Sequence, residues 1–310
     1  MTHSTVDNIF VVGTPRSGTG YLSKTIALMT GSGYVGETGL FYLVGARKAI
    51  RYYQLHMKPH HIFPYSRMKY QCLSALDTLR MKDRIYHSVE HMVLMSKITE
   101  FDLKPRNTLY KSYDIKLSPV ELKFVDSTAR TIKKTLQQNG FPEMVQQYFT
   151  IFRKLRECRC VVEKTPLHIK YLPVIHQVCP NSKIVMIVRD KRDSIASYLT
   201  TFHHKKRMSH LNLNFTGRKQ WIVNVTRMFI QDIVIEKWAE NQDWIKKVNY
   251  SDFVEQPEET IIVISEWLEK EIVDNQQVAF QPYRYVNKWE TLPERDRQFI
   301  ERMLESAHAN

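Results

Sequence analysis

Residues 9–22 read IFVVGTPRSGTGYL. A β-rich apolar run ends at Gly13, a second glycine follows at Gly18, and Leu22, Ile26 and Met29 then share one helical face. Strand, glycine-bearing loop and helix in that order form the context of a phosphate-binding loop, in which backbone N–H groups meet an anion at a helix start. The Walker form is G-x-x-x-x-G-K-[ST], with Lys on the terminal phosphates and Ser/Thr on Mg²⁺. Here Gly13 and Gly18 have the right separation, but Thr19 takes the Lys position and Gly20 the metal-ligand position. The cation of the loop is Arg16. The segment is therefore suited to a phosphate, yet lacks the parts that hold a γ-phosphate and its metal.

A second strand-and-helix unit comes late. SKIVMIV (182–188) is a strand, and RDKRDSIASYLTTFHH (189–204) opens a helix with Asp in its first turn. Between the two units, RCVVEKTP (159–166) reads as a short strand halted by Pro166. PEMVQQYFTIFRKLREC (142–158) is the clearest helix, with Pro in its first turn. A long helix is expected over 218–246, and an amphipathic one over 292–307. Strands alternating with helices predict an α/β, three-layer, P-loop-like fold, with a central parallel sheet flanked by helices. One domain of 310 residues is expected, carrying a mainly helical insertion at about 41–155.

At 43% hydrophobic and 25% charged, the composition is that of a globular protein. No apolar run approaches a membrane span, and no cleavable signal precedes the first strand, so a cytoplasmic protein is expected. The net charge of +13 implies an acidic partner. Much of it lies between Ala46 and Lys116, where fourteen Lys/Arg face six Asp/Glu. No zinc finger, RRM or basic heptad pattern accompanies it, which argues against specific nucleic-acid binding. Cys72, Cys158, Cys160 and Cys179 form no C-x-x-C pair and read as free thiols, with no metal expected. The oligomeric state, homodimer included, is left open.

Arg189 stands where the late strand ends, and Ser197 follows eight residues later, about two helical turns on. Ligands bind outside the carboxyl ends of such strands, and a guanidinium with a hydroxyl suits a terminal phosphate. By itself, Arg189 would be expected to pair with Asp190 or Asp193. Taken with the loop at 13–20, however, the segment VRDKRDSIASY (188–198) resembles the PAPS-dependent sulfotransferase family. The family's 5′-phosphosulfate loop resembles Arg16, Ser17, Gly18 and Thr19, and its 3′-phosphate pair resembles Arg189 and Ser197. VEKTPLHIKYLP (162–173), VNYSDFVEQPEETI (248–261) and VNKWETLPERDRQFIERML (286–304) are similar, in order, to segments of the branch containing tyrosylprotein and many bacterial sulfotransferases. The likeness covers 8–40 and 160–305 and leaves about 41–155 without a counterpart, so the insertion is expected to bind the acceptor.

The resemblance implies PAPS as sulfuryl donor, PAP as product and no need for Mg²⁺. The acceptor would be a small molecule, perceived here as a specialised metabolite bearing a hydroxyl, or alternatively an N–H group. Arg16 and Lys164 would face the transferring oxygens, and Ser17, Gly18, Thr19 and Gly20 the phosphosulfate. Two departures stand out. Gly20 replaces a Thr of the family loop, and Pro166 stands where the steroid and phenol enzymes carry a His base. The likeness instead implies Glu37, in YVGETGLF (34–41), as general base, with His168 as the alternative. Tyr21 and Tyr250 would meet the adenine, and Lys288 the nucleotide phosphates. Two other readings remain: a P-loop kinase, disfavoured by Thr19 and Gly20, and a non-catalytic nucleotide- or polyanion-binding protein.

Overall fold

A computed structural model describes residues 6–41, 85–97, 117–204, 215–273 and 287–308. Its centre is a five-stranded, all-parallel sheet in the order β2-β3-β1-β4-β5. The strands are β1 (Asn8–Gly13), β2 (Gly33–Gly36), β3 (Val161–Lys164), β4 (Lys183–Val188) and β5 (Ile245–Asn249). All six residues of β1 are buried, as a strand covered on both faces by helices demands. β1 pairs with β3 on one side (Val11 opposite Lys164) and with β4 on the other (Gly13 opposite Ile187). The chain runs from β1 to one half of the sheet and later returns to the other half. The carboxyl end of β1 is therefore the topological switch point, where such folds place ligands.

Helices cover the sheet. α1 (Thr19–Met29) follows β1 directly, and its buried side chains include Leu22 and Ile26. A helix over 85–96 (α2) is followed by α3 (Pro119–Gln138), which starts at a capping box. Ser118 accepts from the Glu121 N–H, and Glu121 reaches back to the Ser118 N–H. α4 (Phe141–Arg156) packs on the sheet: Phe149 meets Phe10 edge-on at 5.7 Å. The described part of the span 41–155 is helical, and α4 belongs to the layer against the core. Residues 42–84 and 98–116, with Cys72 and most of the basic stretch, lie outside the described residues. Cys160 and Cys179 are buried thiols, and burial raises both.

After β3, a 3₁₀ turn (Pro166–Tyr171) leads into α5 (Leu172–Val178), and α6 (Lys191–His204) follows β4. The long helix expected over 218–246 is α7, and it runs instead from Phe215 to Ala239. The polar stretch Glu240–Asp243 ends it, and Ile245 and Val248 then pack as β5 against β4. Burial of two β-branched residues against β4 outweighs continuing a helix into polar residues. α8 (Tyr250–Glu255) and α9 (Pro257–Trp267) follow. A second apolar cluster joins Ile195 and Leu199 of α6, Phe229 of α7, and Leu292 and Ile300 at the closing helix α10 (Glu294–His308). It brings the turn at 288–291 against α6. Among the described residues, no helix is long and apolar enough to cross a membrane.

Candidate functional site

The carboxyl ends of β1, β3 and β4 deliver three functional segments to one place. The loop after β1 turns sharply: Arg16 has φ 74° and Gly18 has φ 95°. Gly18 caps α1 with no side-chain cap, and α1 carries no acid in its first turn. A Cβ on Gly18 would lie 2.8 Å from the Tyr250 ring, so glycine is required by both conformation and space. Ser17 is fully buried, and its Oγ has no hydrogen-bond partner among the described residues. A buried, unsatisfied hydroxyl in a glycine cradle at an uncapped helix start fits an anion with acceptor oxygens.

Arg189, leaving β4, closes the loop from the other side. It donates from Nη1 to the Arg16 carbonyl (3.1 Å) and from Nη2 to Asp193 Oδ2 (3.3 Å). Its guanidinium lies 4.4 Å from the centre of the Tyr250 ring. Ser197, one face of α6 further on, is 3% exposed and accepts from Arg16 Nε at 3.3 Å. The Asp193 pairing anticipated from sequence is present, but it orients Arg189 toward the loop. Asp193 Oδ1 also accepts the Trp289 N–H (3.3 Å), tying down the turn that carries Lys288. Burial, then the positive fields of Arg16 and Arg189, push the Lys288 ammonium below its usual range. Three cations thus share one electropositive corner.

The third segment holds the pair from β3 and the loop after β2. Lys164 Nζ donates to Glu37 Oε1, with the Lys164 side chain 9% exposed and that of Glu37 49% exposed. Burial alone would lower Lys164, but Tyr34, Glu37 and Glu163 together hold it above its usual value. A Cβ on Gly20 would stand 3.8 Å from Lys164 Cε and Nζ, an ordinary contact distance, so the end of the lysine lies over the first turn of α1. Beside Arg189 and Tyr250, a cleft of about 460 Å³ opens at the ends of β4 and β5, walled by Val188, Val254, Asn249 and Ser251.

A family model described as "Sulfotransferase family" matches residues 8–274. The chain belongs to the sulfotransferase family. Solved structures that the chain matches include a sulfotransferase from Mycobacterium tuberculosis, at 13% identity over 97% of this chain and 76% of that one, with TM-score 0.48. Another is the sulfotransferase domain of the Synechococcus olefin synthase, at 11% identity over 98% of this chain and 97% of that one, with TM-score 0.47. The sulfotransferase domain from the curacin biosynthetic pathway gives 14% identity over 96% of each chain, with TM-score 0.45. No curated protein sequence matches the chain.

Within this sulfotransferase, the structure brings Arg16, Ser17, Gly18, Arg189, Ser197, Tyr250 and Lys288 into one group, and Glu37 with Lys164 into an adjoining one. Tyr21 packs against Phe253 of α8 at 5.2 Å, one helical turn from Tyr250. Thr19 is buried at the start of α1. His168 lies apart from both groups. Its ring is 0% exposed, faces Glu163 Oε2 through Nδ1 at 3.1 Å, and meets Phe41 edge-on at 5.0 Å. The exposed carboxylate of Glu37, not this buried ring, is the basic group beside Lys164.

Sequence reasoning missed three neighbours of Glu37. His91 of α2 meets the Val35 carbonyl through Nε2 at 3.0 Å, and burial lowers its basicity. Burial raises the phenol of Tyr34. Neither residue carries a local signal. Glu163 does: it is a carboxylate inside a four-residue strand whose every position is buried.

Proposed function

We propose that this sulfotransferase moves the sulfuryl group of PAPS to a hydroxyl of a small-molecule acceptor and releases PAP. The observation that carries the reading is the convergence of the glycine loop, with its unsatisfied Ser17 hydroxyl, on the Arg189–Ser197 pair, beside a lysine–carboxylate pair at the end of β3. Ser17 and the N–H groups of Gly18, Thr19 and Gly20 would hold the 5′-phosphosulfate. Arg189, Ser197 and Lys288 would hold the 3′-phosphate. The cleft beside Tyr250 has the volume and the mixed walls to take a purine.

The chemistry follows from charge. In the transfer, a bond forms from the acceptor oxygen to sulfur as the sulfur–oxygen bond to the 5′-phosphate breaks. Arg16 and Lys164 stabilise charge on the sulfuryl and bridging oxygens; the bridging oxygen keeps the electron pair of the broken bond and leaves as a phosphate oxygen of PAP, its charge met by the N–H groups of the loop. Glu37 accepts the proton of the acceptor hydroxyl. It is the carboxylate beside Lys164 whose side chain is half exposed and so open to an acceptor.

The test is calorimetric titration with PAP without Mg²⁺, against ATP with Mg²⁺, for the wild-type chain and Arg189→Ala. PAP should bind in preference to ATP, and Arg189→Ala should weaken it by roughly ten- to a hundredfold, the loss of charge-assisted hydrogen bonds worth about 1.5–3 kcal/mol. Preference for ATP, or no PAP binding, refutes the donor assignment and favours a kinase. Glu37→Gln should bind PAP normally and lose about 10²–10⁴ in transfer.

A further inference from the structure

Glu163 is 0% exposed. A carboxylate persists in such a place only when hydrogen bonds replace its water. Here Oε1 accepts from the Thr38 N–H (3.3 Å), the Thr38 hydroxyl (2.8 Å) and the Thr165 hydroxyl (2.5 Å), while Oε2 faces His168 Nδ1 (3.1 Å). Thr165 Oγ1 in turn accepts the Gly39 N–H at 3.3 Å, and the Ser88 hydroxyl donates to the Thr38 carbonyl at 3.3 Å. One residue along β3, Lys164 holds Glu37 itself. Consecutive residues of one strand therefore hold consecutive residues of one loop, Glu163 from within the core and Lys164 from beside α1.

We propose that Glu163 is the positioning residue for Glu37. This deepens the proposed function and rests on Glu37 being the base. A half-exposed glutamate on a short loop after a four-residue strand has little of its own to fix it. Catalysis needs the accepting oxygen held to a fraction of an ångström, and a displacement of about 1 Å can cost roughly a hundredfold. The buried carboxylate supplies that constraint by fixing the backbone at Thr38, the residue next to the base. His168 completes the network on the far oxygen.

The decisive variant is Glu163→Gln, which keeps the shape and one acceptor oxygen but removes the charge that strengthens the bonds from Thr38 and Thr165, and sets an amide against His168 Nδ1. Amide hydrogen exchange at Thr38 and Gly39 should quicken at least about tenfold, while amides of β1 and β4 stay protected. PAP affinity should remain within about twofold. Transfer from labelled PAPS to a panel of phenols and primary alcohols should fall about ten- to a hundredfold. In a Glu37→Gln background the same change should cost nothing further, because a positioning residue has no effect once the positioned base is gone. Unchanged exchange at Thr38 and Gly39, or losses that multiply in the double variant, overturn the proposal. Should Glu163→Gln fail to fold, Thr38→Val, which removes one donor and keeps the charge, must give the same pattern. Exchange needs no acceptor, so it judges the anchoring whichever acceptor the enzyme uses. An active Glu37→Gln enzyme would refute the base assignment and leave that judgement intact.

Discussion

Replacing Gly18 with alanine perturbs the loop in two separable ways. The first is backbone strain: at φ 95°, an L-residue costs about 1–2 kcal/mol more than glycine. The second is steric. The new methyl would lie 2.8 and 2.9 Å from Tyr250 Cε2 and Cδ2, well inside the roughly 3.5–4.0 Å of carbon–carbon contact. Tyr250 is 6% exposed and carries the Arg189 guanidinium over its ring, so it cannot yield without moving the arginine. Overpacking of this kind costs about 1–3 kcal/mol. Together the terms come to roughly 3 kcal/mol, which lowers Tm by about 5 °C in a chain of this size. Scanning calorimetry reads that loss, and PAP titration should show weakened binding as Arg189 shifts. Tyr250→Ala removes the clash but not the strain, so adding Gly18→Ala to it should cost only about 1–2 kcal/mol. A Gly18→Ala protein that melts within a degree of wild type and binds PAP equally well would refute the reasoning.

Gly20→Ala should act in the opposite direction. Gly20 lies within α1, and a Cβ there meets only the flexible end of Lys164 at 3.8 Å, so the variant should gain about 0.5–1 kcal/mol and melt higher. A lower Tm would show that the lysine does not yield. Asp232, fully buried on α7, should make stability fall as pH rises. Burial holds its carboxyl above the usual range against the lowering pull of Lys170 and Lys191. The folded chain therefore keeps this proton in a window, beginning near the ordinary value of about 3.9, in which the unfolded chain has lost it. Urea unfolding at pH 4 and pH 8 should show Asp232→Asn gaining on wild type at the higher pH. Equal differences at the two values would refute the assignment.

Much of the architecture is local and was legible. The strand–loop–helix from Asn8 to Met29, and the unit from Lys183 to His204, are written in unbroken apolar runs, glycines and first-turn residues that act within a few positions of themselves. β2 was not legible, because a four-residue strand containing Gly33 and Gly36 has no pattern to separate it from a loop. The end of α7 was misplaced for a related reason: Ile245 and Val248 suit a helix face as well as a strand, and only β4 alongside decides.

The candidate site divides in the same way. Sequence alone determined which residue types stand at the candidate phosphate positions, because the spacings of Arg16 to Gly18 and of Arg189 to Ser197 are set by one turn and one helix. Tertiary structure decided what each does beside the others. It directed Arg189 onto the Arg16 carbonyl through Asp193, set Lys164 on Glu37, and sealed His168 in the core on Glu163. Those outcomes depend on parallel pairing between strands more than a hundred residues apart. A charge's role depends on its burial and its partners, and neither exists until the sheet has formed.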